Sequence, residues 1–233
     1  MKKLAVIMAV VMLGAVAQSQ ATAWQFGNSP SSPWLTYVNV FDQSDVFQFG
    51  FPEATPSTAS WNWAAGPANP LTGGPNTRLY DENVADPFWV DQITFEANLV
   101  SEVNYYQERF AADADTITFN FDVIANTLPA GYEAVGFIKV LDAFDSWATY
   151  QIETTDLSLG FAKLDLTVDQ SLDPSLGTTD ILIQAGYWIK GAYVSSASPE
   201  ALTGVQIVPE PATIGLMGIA GLGMFVARRR LKI

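Results

Sequence analysis

Two kinds of side chain in this sequence have types and spacings that could do chemistry: closely spaced aspartates and tryptophans set in a polar stretch. Asp113 and Asp115 stand two residues apart, just ahead of an alternating apolar run, a spacing that can aim two carboxylates at one cation. Calcium takes roughly six to eight oxygens, so such a pair would have to recruit carbonyls from elsewhere in the fold. Asp42 with Asp45, and Asp142 with Asp145, flank turns in the same way. Solvated acids at strand ends, which keep sheet edges from pairing, would leave the same trace. Trp61 and Trp63 lie in a Pro-, Gly- and Asn-rich segment where no periodicity requires core residues. An indole face there could stack on a pyranose ring, with Trp147, Tyr150 and Trp188 as alternatives; equally, the loop tryptophans could cap the end of a core. Hydrolysis of a glycan by two carboxylates across a cleft is the third chemistry. No sequence pattern selects a pair for it, so the chain reads as non-enzymatic.

What is missing narrows the choice further. The chain has no histidine and no cysteine. This removes Ser-His-Asp and Cys-His nucleophiles, histidine-ligated zinc and an imidazole base. It also removes disulfide stapling. Between Trp24 and Val208 there are five Lys and Arg against 23 Asp and Glu, a net charge near −18. A surface of that sign excludes nucleic acid as a partner and suits cations, neutral glycans and solubility.

The elements that must position these groups are strands. Thr116–Ile124 alternates cleanly, with Ile117, Phe119, Phe121 and Val123 facing in and Thr116, Thr118, Asn120 and Asp122 facing out. Trp34–Phe41, Val46–Phe51, Phe88–Val100, Val103–Phe110, Val135–Leu141, Trp147–Glu153, Lys163–Val168 and Ile181–Val194 continue the series. In Phe88–Val100 the pattern puts Trp89, Ile93, Phe95, Ala97 and Leu99 on one side. The stretch 52–76 reads as one long loop. Many short strands, turn signals between them and no long amphipathic helix indicate an all-β, antiparallel two-sheet sandwich of the jelly-roll kind.

The two ends carry addresses. Lys2-Lys3, an apolar run from Leu4 to Ala17 and the small-residue site Ala21-x-Ala23 are the parts of a secretory signal peptide, with signal peptidase cutting after Ala23. At the other end, residues 212–227 hold no charge and Arg228-Arg229-Arg230 follow. Sixteen helical residues span about 24 Å, short of a hydrocarbon core of about 30 Å, so the segment is a marginal, temporary transmembrane helix. The arginines stay cytoplasmic and everything before Pro209 lies outside. Pro209-Glu210-Pro211 cannot join that helix, because proline disfavours helix for itself and its predecessor.

Pro209-Glu210-Pro211, a short apolar helix and an arginine cluster, in that order, resemble the PEP-CTERM sorting signal. The resemblance implies an exosortase substrate of a Gram-negative bacterium, made alongside exopolysaccharide and released or attached at the cell surface. The chain then divides into a signal peptide (1–23), an ectodomain (24–208) and a sorting signal (209–233). Trp34–Phe51, residues 137–142 and residues 184–191 also look like pieces of a β-sandwich ectodomain recurrent among such proteins and similar to carbohydrate-binding jelly rolls. The leading expectation is an exported surface or matrix protein; a module for the cell's own exopolysaccharide is the alternative.

Overall fold

The computed structural model describes residues 34–53, 61–63, 70–144, 148–173 and 180–209. The signal peptide, Asp145, Trp147, Glu210, Pro211 and Arg228–Arg230 lie outside them, as do the side chains of Trp63 and Pro209. Eleven strands are described: β1 Leu35–Asp42, β2 Phe47–Glu53, β3 Trp61–Trp63, β4 Leu71–Gly73, β5 Leu99–Phe110, β6 Thr116–Asn126, β7 Glu133–Asp142, β8 Thr149–Asp156, β9 Gly160–Thr167, β10 Ile181–Ala192 and β11 Val205–Pro209. They form two antiparallel sheets, one ordered β2-β1-β5-β10-β7-β8 and the other β3-β4-β11-β6-β9. One six-residue helix, α1 Arg78–Asn83, is the only α-helix among the described residues. None of their helices is long and apolar enough to cross a membrane.

Period-two patterning places the core between the sheets. Ile117, Phe119, Phe121 and Val123 of β6 are buried and face Val103 and Tyr105 of β5 and Ile183, Ala185 and Tyr187 of β10 across the sandwich. Burying each large apolar side chain contributes roughly 1.5–3 kcal/mol against the entropy of ordering the chain. At the centre, Tyr187 packs against Phe119 and Phe121 at ring separations of 5.1 Å each. Trp34 stacks on Tyr105 at 4.5 Å.

Two expectations need correction. The stretch 52–76 is not a single loop: it contains β3 and β4, which pair with each other, and β4 pairs in turn with β11. Those strands are three residues long, too short for their alternation to stand out of a Pro- and Gly-rich background. The run Phe88–Val100 is not a strand either, apart from its last two residues. Asp91 Oδ1 accepts from the backbone amides of Ile93 (2.7 Å) and Thr94 (2.8 Å), and Phe95 takes a positive φ of 59°. An aspartate that bonds backbone two or three residues ahead builds a turn instead of a ladder. Ile93 and Phe95 accordingly project into solvent, 88% and 60% exposed. The sheet also reaches the first residue of the tripeptide. β11 runs through Pro209, one residue past the expected domain boundary, and Pro209 pairs with Phe121.

Candidate functional site: a groove on the six-stranded sheet

Residues that alternate with the core positions of β1, β5, β7 and β10 project from the outer face of the six-stranded sheet. They build a groove of about 590 Å³, lined by Tyr37 and Asn39 of β1, Asn104, Tyr106 and Glu108 of β5, Gln184 of β10, and Lys139 of β7. Phe47, Leu141 and Thr149 complete its walls. The register explains the shape. Gly186 lies opposite both Tyr106 and Phe137, and a Cβ there would stand 2.6 Å from the Tyr106 Cα and 2.1 Å from the Tyr105 carbonyl oxygen. Only glycine fits that approach, which holds β10 close against β5 beneath the groove residues Tyr106 and Gln184.

The polar groups in the groove are fixed by one another. Asn39 Nδ2 and Asn104 Nδ2 both donate to Glu102 Oε1, at 2.9 Å each. Gln184 Nε2 donates to Glu108 Oε2 at 3.1 Å, and Lys139 Nζ to Asn104 Oδ1 at 3.4 Å. The Lys139 ammonium also sits 4.5 Å from the centre of the Phe137 ring. Burial lowers the Lys139 pKa, opposed by the Glu102 carboxylate. Burial likewise pushes Tyr106 up to about 12, with Glu108 and Tyr37 adding to it, so the phenol keeps its proton and can donate at neutral pH. Aromatic rings beside preset amides and carboxylates suit a ligand with apolar faces and many hydroxyls.

The expected site residues fare differently. Trp61 does not offer a free face: it is fully buried, its Nε1 donates to the Val103 carbonyl at 3.0 Å, and it packs against Tyr105 and Tyr187 at 6.2 and 5.7 Å. The reading of Trp61 as a stacking platform is therefore corrected; the residue belongs to the core. Trp188 is half-buried on the outer face but does not line the groove. Asp113 Oδ1 accepts from the Gln170 amide and Asp115 Oδ2 from the Ala112 amide, each at 3.0 Å. These two carboxylates staple separate backbone turns, and among the described residues no three acids converge to hold a metal ion. Asp42 does the same for the amides of Ser44 and Val46, while Asp45 pairs with Lys190.

Sequence reasoning missed Tyr37, Asn104, Tyr106, Lys139 and Gln184 as site residues. The available signal was polar or amphipathic side chains at alternate positions of strands whose other positions are apolar. On a sheet face lined by water they would be unremarkable, and only the strand order brings β1, β5, β10 and β7 side by side.

The PEP-CTERM protein-sorting motif matches residues 208–230. No curated protein matches the chain. Among solved structures, the chain is similar to one titled "CBM4 structure and function", with 14% identity over 68% of this chain and 85% of the other and a TM-score of 0.28. Another belongs to work on carbohydrate-binding modules from the β-sandwich superfamily, with 10% identity over 77% and 74% of the two chains and a TM-score of 0.26. Pro209-Glu210-Pro211, the uncharged run and the arginine cluster all fall inside the matched segment, so the chain carries a PEP-CTERM protein-sorting motif at residues 208–230.

Proposed function

We propose that this protein is exported, held briefly in the inner membrane with its C-terminal arginines cytoplasmic, cut at its sorting signal by an exosortase-type enzyme, and delivered to the cell surface or matrix. There its sandwich binds exopolysaccharide through the groove on the six-stranded sheet, and acts by binding, not by catalysis. The observation that carries the binding reading is the groove itself: two tyrosines, Tyr37 and Tyr106, beside amides that are locked in pairs with carboxylates. Its carboxylate, Glu108, is tied down by the Gln184 amide, which suits recognition of hydroxyls better than proton transfer. The acidic surface favours a neutral polysaccharide over a polyanionic one.

Retention of the released domain on purified matrix polysaccharide tests the binding reading. Tyr37→Ala should weaken retention at least tenfold, in line with roughly 1.4 kcal/mol or more from a stacked ring; unchanged retention would sink the reading. Sorting has a separate test. Replacing Pro209-Glu210-Pro211 by alanines should leave full-length protein in the inner membrane, and normal release of that variant would refute the tail's role.

A further inference from the structure

The groove holds a charge that the fold leaves without a direct counterion. Between Trp24 and Val208 there are five Lys and Arg against 23 Asp and Glu, so a cation of this domain has carboxylates to spare. Lys163 pairs with Asp165 at 2.6 Å, Arg78 with Glu82 at 3.0 Å, and Lys190 with Asp45. Lys139 differs from the other two lysines: among the described residues no carboxylate stands at ion-pair distance from its Nζ. Its hydrogen bond there goes to Asn104 Oδ1 at 3.4 Å, and its ammonium lies 4.5 Å from the centre of the Phe137 ring. An ammonium carries three N–H donors, so two remain for a guest. Burying a charge is costly unless it is paired and hydrogen-bonded, and burial does disfavour the charged form of Lys139.

The nearest counter-charge is kept one amide away. Asn104, itself buried, turns Oδ1 to the ammonium and Nδ2 to Glu102 Oε1, which also accepts from Asn39 Nδ2. Glu102 therefore favours the ammonium through space without touching it. Glu108 stands across Gln184 from Lys139 in the register, and Gln184 bonds it. A guest in the groove thus meets one positive charge with two donors, beside the rings of Tyr37 and Tyr106. A carboxylate has two acceptor oxygens for those two donors, and its charge restores the form of Lys139 that burial disfavours. The domain sets how much charge the guest carries. A net charge near −18 repels a polyanion at every one of its groups, whereas a single carboxylate is met at contact by the ammonium.

We infer that Lys139 sets the specificity of the groove by binding a single carboxylate on an otherwise neutral glycan, carried by a uronic acid residue or an acidic substituent. That role rests on the binding reading above and narrows it to sparsely charged chains. Carbodiimide activation followed by borohydride reduction turns the carboxylates of the purified matrix polysaccharide into alcohols and leaves its backbone in place. The full chain, kept in solution by a mild non-ionic detergent, should be retained roughly tenfold more strongly on the native polysaccharide than on the reduced one, the weight of a hydrogen bond to a charged group. In Lys139→Met, which keeps the side chain's length and removes its charge, that ratio should fall to about one. Equal retention of the unmodified protein on both forms overturns the inference and leaves the groove a site for neutral glycans. No retention on either form, with Tyr37→Ala no different, refutes the binding reading and the inference with it. Thermal melts separate out a structural role. Lys139→Met should melt at or above the unmodified protein, because it removes a buried charge that lacks a direct partner. A clearly lower Tm would assign the ammonium to the fold, and an undiminished ratio would detach it from the carboxylate; either overturns the proposal.

Discussion

Replacing Trp61 by alanine gives the sharpest test of the reassignment of this residue from ligand platform to core. The indole is fully buried, sandwiched near Tyr105 and Tyr187, and its N–H satisfies the Val103 carbonyl. A Cβ added to Gly73 would lie 2.4 Å from the indole ring, so the opposing strand is shaped around it. Truncating a buried tryptophan costs about 3–5 kcal/mol, and an orphaned buried carbonyl adds about 1 kcal/mol. At roughly 2–4 °C per kcal/mol for a domain of this size, Trp61→Ala should lower Tm by about 8–24 °C. Trp61→Phe keeps most of the ring and loses the hydrogen bond, and should cost about a third as much. Urea titration followed by tryptophan fluorescence and circular dichroism measures both. A loss below about 1 kcal/mol for Trp61→Ala, with reduced polysaccharide retention, would refute the core assignment and restore the stacking one.

Two further outcomes follow from the same geometry. Gly186→Ala, which drives a methyl into the β5 backbone, should block folding or lower Tm severely, whereas Gly131→Ala, at a φ of +93° with nothing within 4 Å, should cost only about 1 kcal/mol; thermal melts of the two compare close approach with backbone preference. Tyr106, Tyr132 and Tyr150 are pushed up to about 12, chiefly by burial. The unfolded chain ionises these phenols near 10, before the folded one, so their contribution is complete below about pH 10 and is lost as pH rises through 12. Tyrosinate absorbance during alkaline titration should therefore rise together with the unfolding signal; a rise well ahead of unfolding would contradict it.

How much of this was legible in the sequence depended on how far each signal reaches along the chain. β6 was legible because eight consecutive residues alternate and the polar set can go nowhere but outward. The sandwich followed from several such strands. The turn at Asp91 imitated a strand, because its apolar residues happen to fall at even spacing while one carboxylate bends the backbone. Trp61 was read by the polarity of its neighbours, but a three-residue strand carries it into the core, and three residues cannot display a period. The groove was least legible, since its residues come from all six strands of one sheet, between Tyr37 and Gln184, and meet only through sheet order.

The sorting tail reverses that pattern. Its address was legible because it is local: three ordered pieces in about 25 residues, each read by its own chemistry. What local reading could not supply is where the tripeptide sits relative to the folded domain. A tail that began after a flexible spacer would make the domain and the address independent. Here Pro209 is both the last residue of a strand in the interior of a sheet and the first residue of the signal. On the processing proposed above, an enzyme that grips the tripeptide works against the pairing of Pro209 in that sheet, and the stability of β11 on β6 enters the energetics of sorting. Substitutions in β6 far from the tail in sequence become processing variants by that route, an expectation that neither the domain nor the signal raises alone.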